Sequence, residues 1–549
     1  MIAIRPCTWF LALATAALSA QAQTLPDAGR LLQQERAAPT PPRPAQGLTI
    51  TPPAPDAALP GGQTVVLEAV RFEGHTVFTS EQLSSVLGEV RGQRYDLAGL
   101  QALAQRISAY YRGQGYPFAR AYLPAQALAD GQVTIAIVEG RYGQIRATGD
   151  ARLAAAAQGF LRALQPGAVI DAASLERATL ILSDQPGLVA APIMRPGQSV
   201  GTGDLVVPVS TERRWSGEVG LDNQGNRYTG EYRARLNLQF DSPFLFGDQF
   251  TLRSTYSDAG QWLGQLGYSL PLGTSGLRGQ ISHAHTYYEL GQQFAALEAT
   301  GSADITSVGV TYPWLRSQQA NVTVGLSYQY KSLKDQQGAA DMHNDKQSQS
   351  LPISMQFDVR DGLGGGGLSY GSLAYANGRL HLDAALQASD AVTAHGRGSF
   401  DKWNLDLARV QATALPNLSL YGRVSAQWAG KNLDSSEDFG VGGVSGVRAY
   451  PGGEGFGDEG WLAQLEARYT VGPAVPYVFY DAGGVTINRH PWADGDRGRS
   501  ISGAGIGVRA SQGRWSVDVS LAWRDRGGAP QSDTVDRQPR VWASIGLRF

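Results

Sequence analysis

The sequence has little of what several common classes of protein need. Its single cysteine, Cys7, lies near the N-terminus, so the rest of the chain can form neither a disulfide nor a thiolate metal site. No later segment contains the roughly 18 apolar residues in succession that a membrane-spanning helix needs. Lysine and arginine total 46 against 48 aspartate and glutamate. Without a basic excess, we expect no nucleic-acid partner.

Common catalytic and nucleotide-binding motifs are also missing. Gly364–Gly367 and the glycine-rich stretch 451–460 lack the Gly-Lys-Ser/Thr ending of a phosphate-binding loop, which favours flexible loops. Neither a Gly-x-Ser-x-Gly turn nor a His-Glu-x-x-His helix occurs. His283 and His285 share one face of a strand but lack an evident third ligand, so we expect them to face a lumen or a turn. The sequence therefore predicts no catalytic residues, no metal and no cofactor.

The N-terminus predicts export. The basic residue Arg5 precedes an apolar stretch from Trp9 to Ala17, and the triplet Ala20-Gln21-Ala22 follows. This order is typical of a secretory signal peptide, here residues 1–22, with cleavage after Ala22. The alternative is a membrane anchor, but the apolar stretch is shorter than the ~20 residues that a spanning helix needs.

A short helix and a long spacer are expected next. Asp27 can cap a helix of good helix formers that extends to Arg36. Eight prolines between Pro39 and Pro60 predict an extended, semi-rigid segment. At ~3.1 Å per residue, it could reach on the order of 70 Å. Two interpretations stay open at this point: a disordered leader, or a tethered helix that can travel far from its attachment.

An internal repeat occupies residues 65–212, with a constant offset of 75 residues (146 − 71). Each copy has the order strand, helix, helix, strand, strand, and Asp96 and Asp171 stand at helix N-cap positions. The sequence therefore predicts two small α/β modules, residues 65–140 and 141–212. The identical pairs are Arg71 and Arg146, Gly74 and Gly149, Asp96 and Asp171, Ala98 and Ala173, Leu100 and Leu175, and Pro117 and Pro192.

Residues 213–549 alternate between apolar and polar side chains. The alternation is clearest in residues 231–240, 461–470 and 515–524. Segments of ~10 alternating residues are typical of transmembrane β-barrels. A soluble β-sandwich also alternates, but this region of 337 residues (549 − 212) is too long for one ordinary sandwich.

The last strand favours the barrel. Val541, Ile545 and Phe549 lie on one face, whereas Trp542 and Arg548 lie on the other. In a barrel the terminal strand pairs with the first, so the apolar face meets lipid, and assembly machinery can recognise the strand that ends at Phe549. We therefore expect Trp542 and Arg548 to face the lumen.

Two repeated modules before a barrel resemble the two-partner secretion transporters (TpsB), the haemolysin secretion/activation protein family. Val447-Arg448-Ala449-Tyr450 is similar to the Val-Arg-Gly-Tyr tetrad of the family's long sixth extracellular loop, here around residues 440–460. Phe479-Tyr480-Asp481-Ala482-Gly483 is similar to the Phe-x-Asp-x-Gly motif of an inner-wall strand. Ala449 departs from the family's glycine, which puts a glycine-only backbone conformation in question there.

The resemblance implies an arrangement for nearly the whole exported chain. It comprises a plug helix at 23–38, a linker at 39–64, polypeptide-transport-associated (POTRA) domains at 65–140 and 141–212, and a sixteen-stranded antiparallel barrel at 213–549. The family pairs the tetrad's arginine with the inner-wall aspartate, which implies a latch between Arg448 and Asp481. The supporting motif residues are Val447, Tyr450, Phe479 and Gly483. The alternative for Arg448 and Asp481 is two ordinary solvated charges.

The resemblance also implies a function and a location. The chain is expected to be an outer-membrane transporter, with its POTRA domains in the periplasm, that secretes a large exoprotein without nucleotide hydrolysis. That partner would be a haemolysin, filamentous adhesin or contact-dependent toxin with an N-terminal secretion domain. Other expected partners are membrane lipid and, during biogenesis, the outer-membrane assembly machinery. The alternatives are a membrane-protein assembly factor of the same superfamily, a passive porin, and a poorly supported outer-membrane protease or lipase.

Overall fold

The computed structural model describes residues 26–34, 38–42, 61–127, 130–495 and 497–549. The expected signal peptide and most of the expected linker lie outside these residues, as do Glu35 and Arg36 of the expected N-terminal helix. None of the helices in the described part of the chain is long and apolar enough to cross a membrane.

The first helix, α1 (Ala28–Gln34), lies against the inner wall of the barrel. Asp27 caps it as the sequence predicts, because its Oδ1 accepts a hydrogen bond of 2.9 Å from the backbone N–H of Arg30. The backbone N–H of Ala28 donates to Asp335 Oδ1 on a barrel strand at 2.9 Å. Leu31 is buried against side chains of that wall.

The first α/β unit has one three-stranded sheet with two helices packed on it. Its core includes Leu83, Ile107, Tyr111 and Ile135. Its elements are β1 (Val65–Val66), β2 (Ala69–Glu73), α2 (Ser80–Leu87), β3 (Arg94–Tyr95), α3 (Leu97–Gly113), β4 (Arg120–Tyr122) and β5 (Gln132–Val138). The sheet order is β2-β5-β4, with β2 parallel to β5. As expected, Asp96 caps α3 through the backbone N–H of Gly99 at 2.8 Å.

The second unit has no counterpart of β1 or β3, and three strands instead of two follow its helices. Its opening and closing strands are parallel, as β2 and β5 are in the first unit. Its elements are β6 (Arg141–Gly149), α4 (Ala151–Phe160), α5 (Ala172–Ser183), β7 (Leu188–Ala190), β8 (Ile193–Pro196) and β9 (Thr202–Thr211). Asp171 caps α5 through the backbone N–H of Ser174 at 2.7 Å. The repeated aspartates therefore start equivalent helices in both units.

Sixteen strands close an antiparallel barrel, as the sequence predicts. The first eleven are β10 (Trp215–Asp222), β11 (Arg233–Asp241), β12 (Gln249–Ser257), β13 (Trp262–Pro271), β14 (Arg278–Glu289), β15 (Ala299–Arg316), β16 (Ala320–Gln337), β17 (Met342–Asp361), β18 (Gly367–Leu382), β19 (Gly398–Ala412) and β20 (Leu418–Ala429). A connecting helix, α6 (Ala384–Asp390), lies between β18 and β19. After β20, β21 (Phe439–Gly440) and β22 (Phe456–Gly457) form a separate ladder. The last five barrel strands are β23 (Glu459–Tyr469), β24 (Ala474–Thr486), β25 (Gly498–Gln512), β26 (Trp515–Arg526) and β27 (Arg540–Arg548).

The barrel closes through a short ladder between β10 and β27. It has five residue pairs, fewer than any other ladder of the barrel. Beyond one end, Phe549 exchanges two backbone hydrogen bonds with Gly217, and its ring lies 5.6 Å from that of Trp215. Beyond the other end, the Asn223 amide donates to Val541 O and accepts from Ala543 N–H. Side-chain and terminal contacts therefore extend the shortest ladder in both directions.

A buried carboxylate joins the two α/β units. Glu139 accepts hydrogen bonds from Thr76 and Val77 of the first unit and from the hydroxyl of Tyr111 at 3.1 Å. Arg141, the first residue of the second unit, lies 3.0 Å from it. Burial acts to raise the pKa of Glu139, but the hydrogen bonds from Thr76, Val77 and Tyr111 outweigh burial and hold this pKa below its ordinary value.

We expect acid to loosen this joint. A carboxylate whose pKa is lower in the folded chain adds stability above its unfolded pKa of about 4.3, and that stability is lost as the pH falls through the folded value. The protection of amides around Thr76 and Tyr111 against hydrogen exchange, relative to the intrinsic exchange rate at each pH, should therefore fall at acidic pH in the full-length protein. In Glu139→Gln the same amides should already exchange faster at neutral pH, because the free energy of local opening falls by about 2 kcal/mol.

The matched control is Glu89→Gln, because Glu89 is an exposed carboxylate of the same unit. It should leave the acid response of the joint unchanged. An unaltered acid response in Glu139→Gln would contradict this assignment.

Candidate functional site

The connection between β20 and β23 folds back into the barrel; we refer to residues 430–458 as the inward loop. Its β21–β22 ladder and the hydrogen bond from Val447 N–H to Val441 O give it a fixed shape. Val441, Val447 and Tyr450 are buried. They pack with residues of β23, β24 and β25 in a single apolar cluster. The tetrad identified in the sequence therefore lies inside the pore rather than at the cell surface.

Arg448, at the tip of the inward loop, contacts Asp481 on β24 directly. Its Nε and one terminal guanidinium nitrogen each donate to a different carboxylate oxygen of Asp481 at 2.7 Å. The backbone N–H of Arg448 also donates to this carboxylate at 3.1 Å. Both side chains are buried, so this is the bidentate geometry in which a guanidinium binds a carboxylate most strongly. The two charges are not solvated, which excludes the alternative of ordinary surface charges.

Three further contacts complete the surroundings of Arg448. Its remaining terminal nitrogen donates to Glu466 on β23 at 2.6 Å. The Phe479 ring lies beneath the guanidinium, with its centroid 3.6 Å from Cζ. Trp542 of the last strand donates from Nε1 to the Arg448 carbonyl at 2.7 Å. We call Arg448, Asp481, Glu466, Phe479 and Trp542 the loop latch.

Glu466 also links the latch to neighbouring arginines of the barrel wall. It accepts hydrogen bonds from Arg468 at 2.7 Å and from Arg509 at 2.9 Å. Arg509 in turn pairs with Asp518 at 2.9 Å. Removing one member of a buried ion pair costs about 3–5 kcal/mol, because an uncompensated buried charge is left behind. The latch therefore depends on several side chains at once.

The other motif residues form the surface on which the inward loop packs against the barrel wall. The Tyr450 hydroxyl donates to the carbonyls of Arg526 and Gly528 at 2.8 and 3.0 Å. A side chain at Gly483 would approach the Trp461 carbonyl and Val441. Ala449 does not adopt a left-handed backbone, so the family's glycine is not required there. The methyl group of Ala449 packs against Gly503 of the wall, and a side chain at position 503 would collide with this methyl group.

The start of the inward loop is held on a different part of the wall, at a place that the sequence motifs do not reveal. In a single turn at Ser435–Glu437, Glu437 lies between Lys331 of β16 and Lys402 of β19, at 2.6 and 2.8 Å. Asp434 pairs with Lys346 of β17 at 3.1 Å. Glu437, Lys331 and Lys402 are buried, and Asp434 and Lys346 are partly buried. We call this group the lysine clasp.

Helix α1 rests on the lysine clasp. Gln33 Nε2 donates to Ser436 O at 2.5 Å, and the same carbonyl accepts from Lys331 at 3.0 Å. Gly29 faces the turn so closely that a Cβ there would lie 2.5 Å from Ser436 N. The helix and the loop therefore share a contact surface in which only glycine fits at position 29.

His283 and His285 do not face the lumen, so that expectation is wrong. On β14, Tyr288 packs against the cluster around α1, which places even-numbered residues inside and odd-numbered residues outside. His285 Nδ1 lies 2.7 Å from Asp304 Oδ1 on the outer face of β15. No group of three or more metal-ligating side chains occurs in the described parts of the chain.

The lumen-facing side chains were only partly predictable. Trp542 lies on the inner face as the alternation predicts, and the exposed Val541 faces outward. Glu466 also follows the alternation of residues 461–470, but the pattern does not say which inner side chains meet. The lysine clasp joins the inward loop to wall lysines that lie 35 and 106 residues before Glu437, and a single lysine among polar lumen residues gives no signal of its own.

Comparisons with known proteins agree with this architecture. The family model for haemolysin secretion/activation protein ShlB/FhaC/HecB matches residues 201–510, and the ShlB-type POTRA domain model matches residues 65–140. The chain is 27% identical over 464 residues to the heme/hemopexin transporter protein HuxB of Haemophilus influenzae, covering 81% of this chain and 80% of that protein. It is 22% identical to the outer membrane transporter CdiB of Dickeya dadantii, covering 84% and 83%.

Solved structures show the same fold. CdiB from Escherichia coli superimposes with a TM-score of 0.73 at 19% identity, covering 92% of this chain and 94% of that one. CdiB from Acinetobacter baumannii gives a TM-score of 0.65 at 17% identity, covering 94% and 96%.

We expect Glu466→Gln to loosen the tip of the inward loop although Asp481 remains. The amide cannot balance Arg448, Arg468 and Arg509 together, so the buried network loses a charge it needs. With Ser445→Cys as a reporter in the loop, maleimide labelling should become at least about tenfold faster. The control is Glu289→Gln at the exposed end of β14, which should label like the parent. Equal labelling rates would show that Glu466 does not hold the loop.

Proposed function

The chain belongs to the haemolysin secretion/activation protein family, and on that premise we propose how its pore is kept closed until an exoprotein arrives. The protein is an outer-membrane transporter of two-partner secretion with a periplasmic POTRA region and a sixteen-stranded barrel. It secretes a large exoprotein without nucleotide hydrolysis. The comparisons give no support to the alternatives of an assembly factor of the same superfamily or a passive porin.

We propose that the exoprotein carries an N-terminal secretion domain and is a haemolysin, a filamentous adhesin or a contact-dependent toxin. The relatives named above, a heme/hemopexin transporter and an outer membrane transporter, support a secreted partner of this kind. Within the described residues, β2 pairs only with β5, so its other edge is free to accept an extended chain. The terminal strand that ends at Phe549 would serve recognition by the assembly machinery during biogenesis.

We propose that α1 is the removable plug of the pore. The helix is short, with seven residues, and short helices owe their stability to packing. The helix packs against the wall and the lysine clasp. When it leaves the pore it therefore loses the contacts that stabilise it as a helix. Beside this packing the helix makes polar contacts, including those of Ala28 N–H with Asp335 and of Gln33 with Ser436. Water can replace such contacts on release at modest net cost.

We propose that the loop latch holds the inward loop in the position that transport requires. The bidentate pair of Arg448 and Asp481 is the observation that carries this proposal. The lysine clasp fixes the start of the loop, and the latch fixes its tip on another wall. With both ends held, the space between them stays open to a passing chain once α1 has left.

Arg448→Ala should reduce secretion at least about tenfold, because the loop loses its anchor. The barrel should still insert, because the backbone ladders of its sixteen strands do not involve Arg448. The measurement is the amount of exoprotein outside the cell, beside the amount of transporter in the outer membrane. A strain that lacks the transporter gene gives the baseline and should strand the exoprotein in the periplasm. Arg253→Ala provides a matched control, since Arg253 faces the lumen from β12 without belonging to the latch.

Unchanged secretion by Arg448→Ala, or loss of the barrel itself, would count against the latch. An unchanged amount of surface exoprotein in the deletion strain would overturn the secretion function altogether.

Gly29→Leu should open the pore by preventing α1 from docking on the lysine clasp. The new side chain would collide with the backbone of Ser435 and Ser436, which cannot move without breaking the clasp. Single-channel conductance in planar bilayers should show frequent open events that are rare in the parent. Gly113→Leu is the matched control, because a Cβ at that helical position meets no atom within 4 Å. A conductance like that of the parent would argue against α1 as the plug.

A further inference from the structure

A cavity with a volume of about 480 Å³ opens beside the connection between β18 and β19. The second α/β unit contacts the opposite end of the barrel, where Arg177 donates to Pro313 O at the end of β15. The cavity is therefore at the extracellular end. Arg379 and His381 of β18 and His395 and Arg397 of the connection line it, and we call it the basic pocket.

The side chains of Arg379 and His381 face outward from the barrel. Leu380, between Arg379 and His381, is buried, whereas both basic residues are exposed. Leu380 pairs with Gly398, so Arg397 follows directly beyond this pair on the neighbouring strand. On this register Arg397 stands opposite His381 at ~5 Å and diagonal to Arg379 at ~7–8 Å, a spacing that long side chains can bridge to contact one small ligand group together.

The backbone of the pocket is fixed by its own hydrogen bonds. Asp383 caps α6 by accepting from Leu386 N–H at 2.8 Å. The Asp390 carboxylate accepts from Gly396 N–H at 2.6 Å and from Arg397 N–H at 3.1 Å. These bonds close the connection into a defined shape, so the basic side chains stand on an ordered frame.

The pocket carries net positive charge. Among the described residues, no ion pair involves the guanidinium of Arg379 or of Arg397, and Lys431 adds a third cation by donating to Arg397 O at 2.9 Å. Asp390 lies in the lining, but its oxygens are occupied by backbone donors. Asp401 faces the same way on β19 but lies opposite Asn377, nearer the membrane. An anion entering the pocket would meet several unpaired donors.

The depth of the pocket matches the headgroup layer of the outer leaflet. Tyr375 and Trp403 pack against each other with ring centroids 4.8 Å apart on the outer face, as aromatic residues do at a membrane boundary. Arg379 stands four residues farther along β18. At ~3.3 Å per residue and a tilt of roughly 40°, it lies about 10 Å above this aromatic pair. Headgroups extend about 5–8 Å beyond the hydrocarbon core, so the backbone at Arg379 lies just above them and its long side chain can reach down to their phosphates.

We propose that the basic pocket binds a phosphate group of a phosphorylated glycolipid in the outer leaflet. Guanidinium groups donate two parallel hydrogen bonds to phosphate oxygens, and the imidazoles of His381 and His395 add further donors. The lipid's acyl chains would lie along the apolar outer wall below, past Tyr375 and Trp403. The site faces away from the pore, so this binding does not depend on the secretion proposal.

The test uses the purified full-length protein in detergent and two probes with identical acyl chains, lipid A with its phosphates and lipid A without them. Native mass spectrometry should show at least about tenfold tighter binding of the phosphorylated form. The double substitution Arg379→Ala with Arg397→Ala should reduce this preference to less than about twofold. Lys334→Ala is the control, an exposed cation on the outer face of β16 outside the pocket, and should keep the full preference.

Three outcomes would overturn the proposal. The two lipids could bind equally to the parent, or the double variant could keep the parent's preference. Millimolar inorganic phosphate could also displace the phosphorylated lipid completely, which would make the pocket a site for the free ion instead. Insertion and folding of the double variant are checked by its heat-dependent mobility, and Arg379→Lys with Arg397→Lys should retain most of the preference.

Discussion

A buried guanidinium constrains much of the barrel interior. Arg448 has lost its water, so every donor it carries needs a partner within the protein. Asp481 and Glu466 supply carboxylates from adjacent strands, Phe479 supplies a ring face, and Trp542 holds the backbone from the last strand. One loop residue thereby connects three strands of the wall, including the strand at the seam where the barrel closes.

The inward loop is held at two places by opposite arrangements of charge. At its tip a cation from the loop inserts between wall carboxylates, whereas at its start Glu437 inserts between wall lysines. Among the described residues, helix α1 hydrogen-bonds the second of these places through Gln33, and Gln34 also lies beside Gly452 and Gly453, just past the tetrad. The helix therefore touches the inward loop at its start and beyond its tip.

Sequence periodicity and motif resemblance account for different parts of the structure. Alternation predicted the barrel, its outward Val541 and its inward Trp542, because a strand has only two faces. The resemblance singled out Arg448 and Asp481, which the structure joins. Periodicity assigns a residue to the inner or outer face, but it gives neither its position along the barrel axis nor its partner across the lumen. The contacts of Glu466 and of the clasp lysines with the inward loop therefore could not be predicted. For His283, alternation alone was insufficient, because a second residue on β14, Tyr288, was needed to tell inside from outside.

The loop latch and its neighbours have an electrical property that follows from their composition. Arg448, Arg468 and Arg509 stand beside Glu466, Asp481 and Asp518, three cations against three anions. Their fields cancel within a few ångströms, so a polypeptide moving past feels no net attraction or repulsion from the anchor. A transporter built this way can pass acidic and basic stretches of one exoprotein without slowing at either.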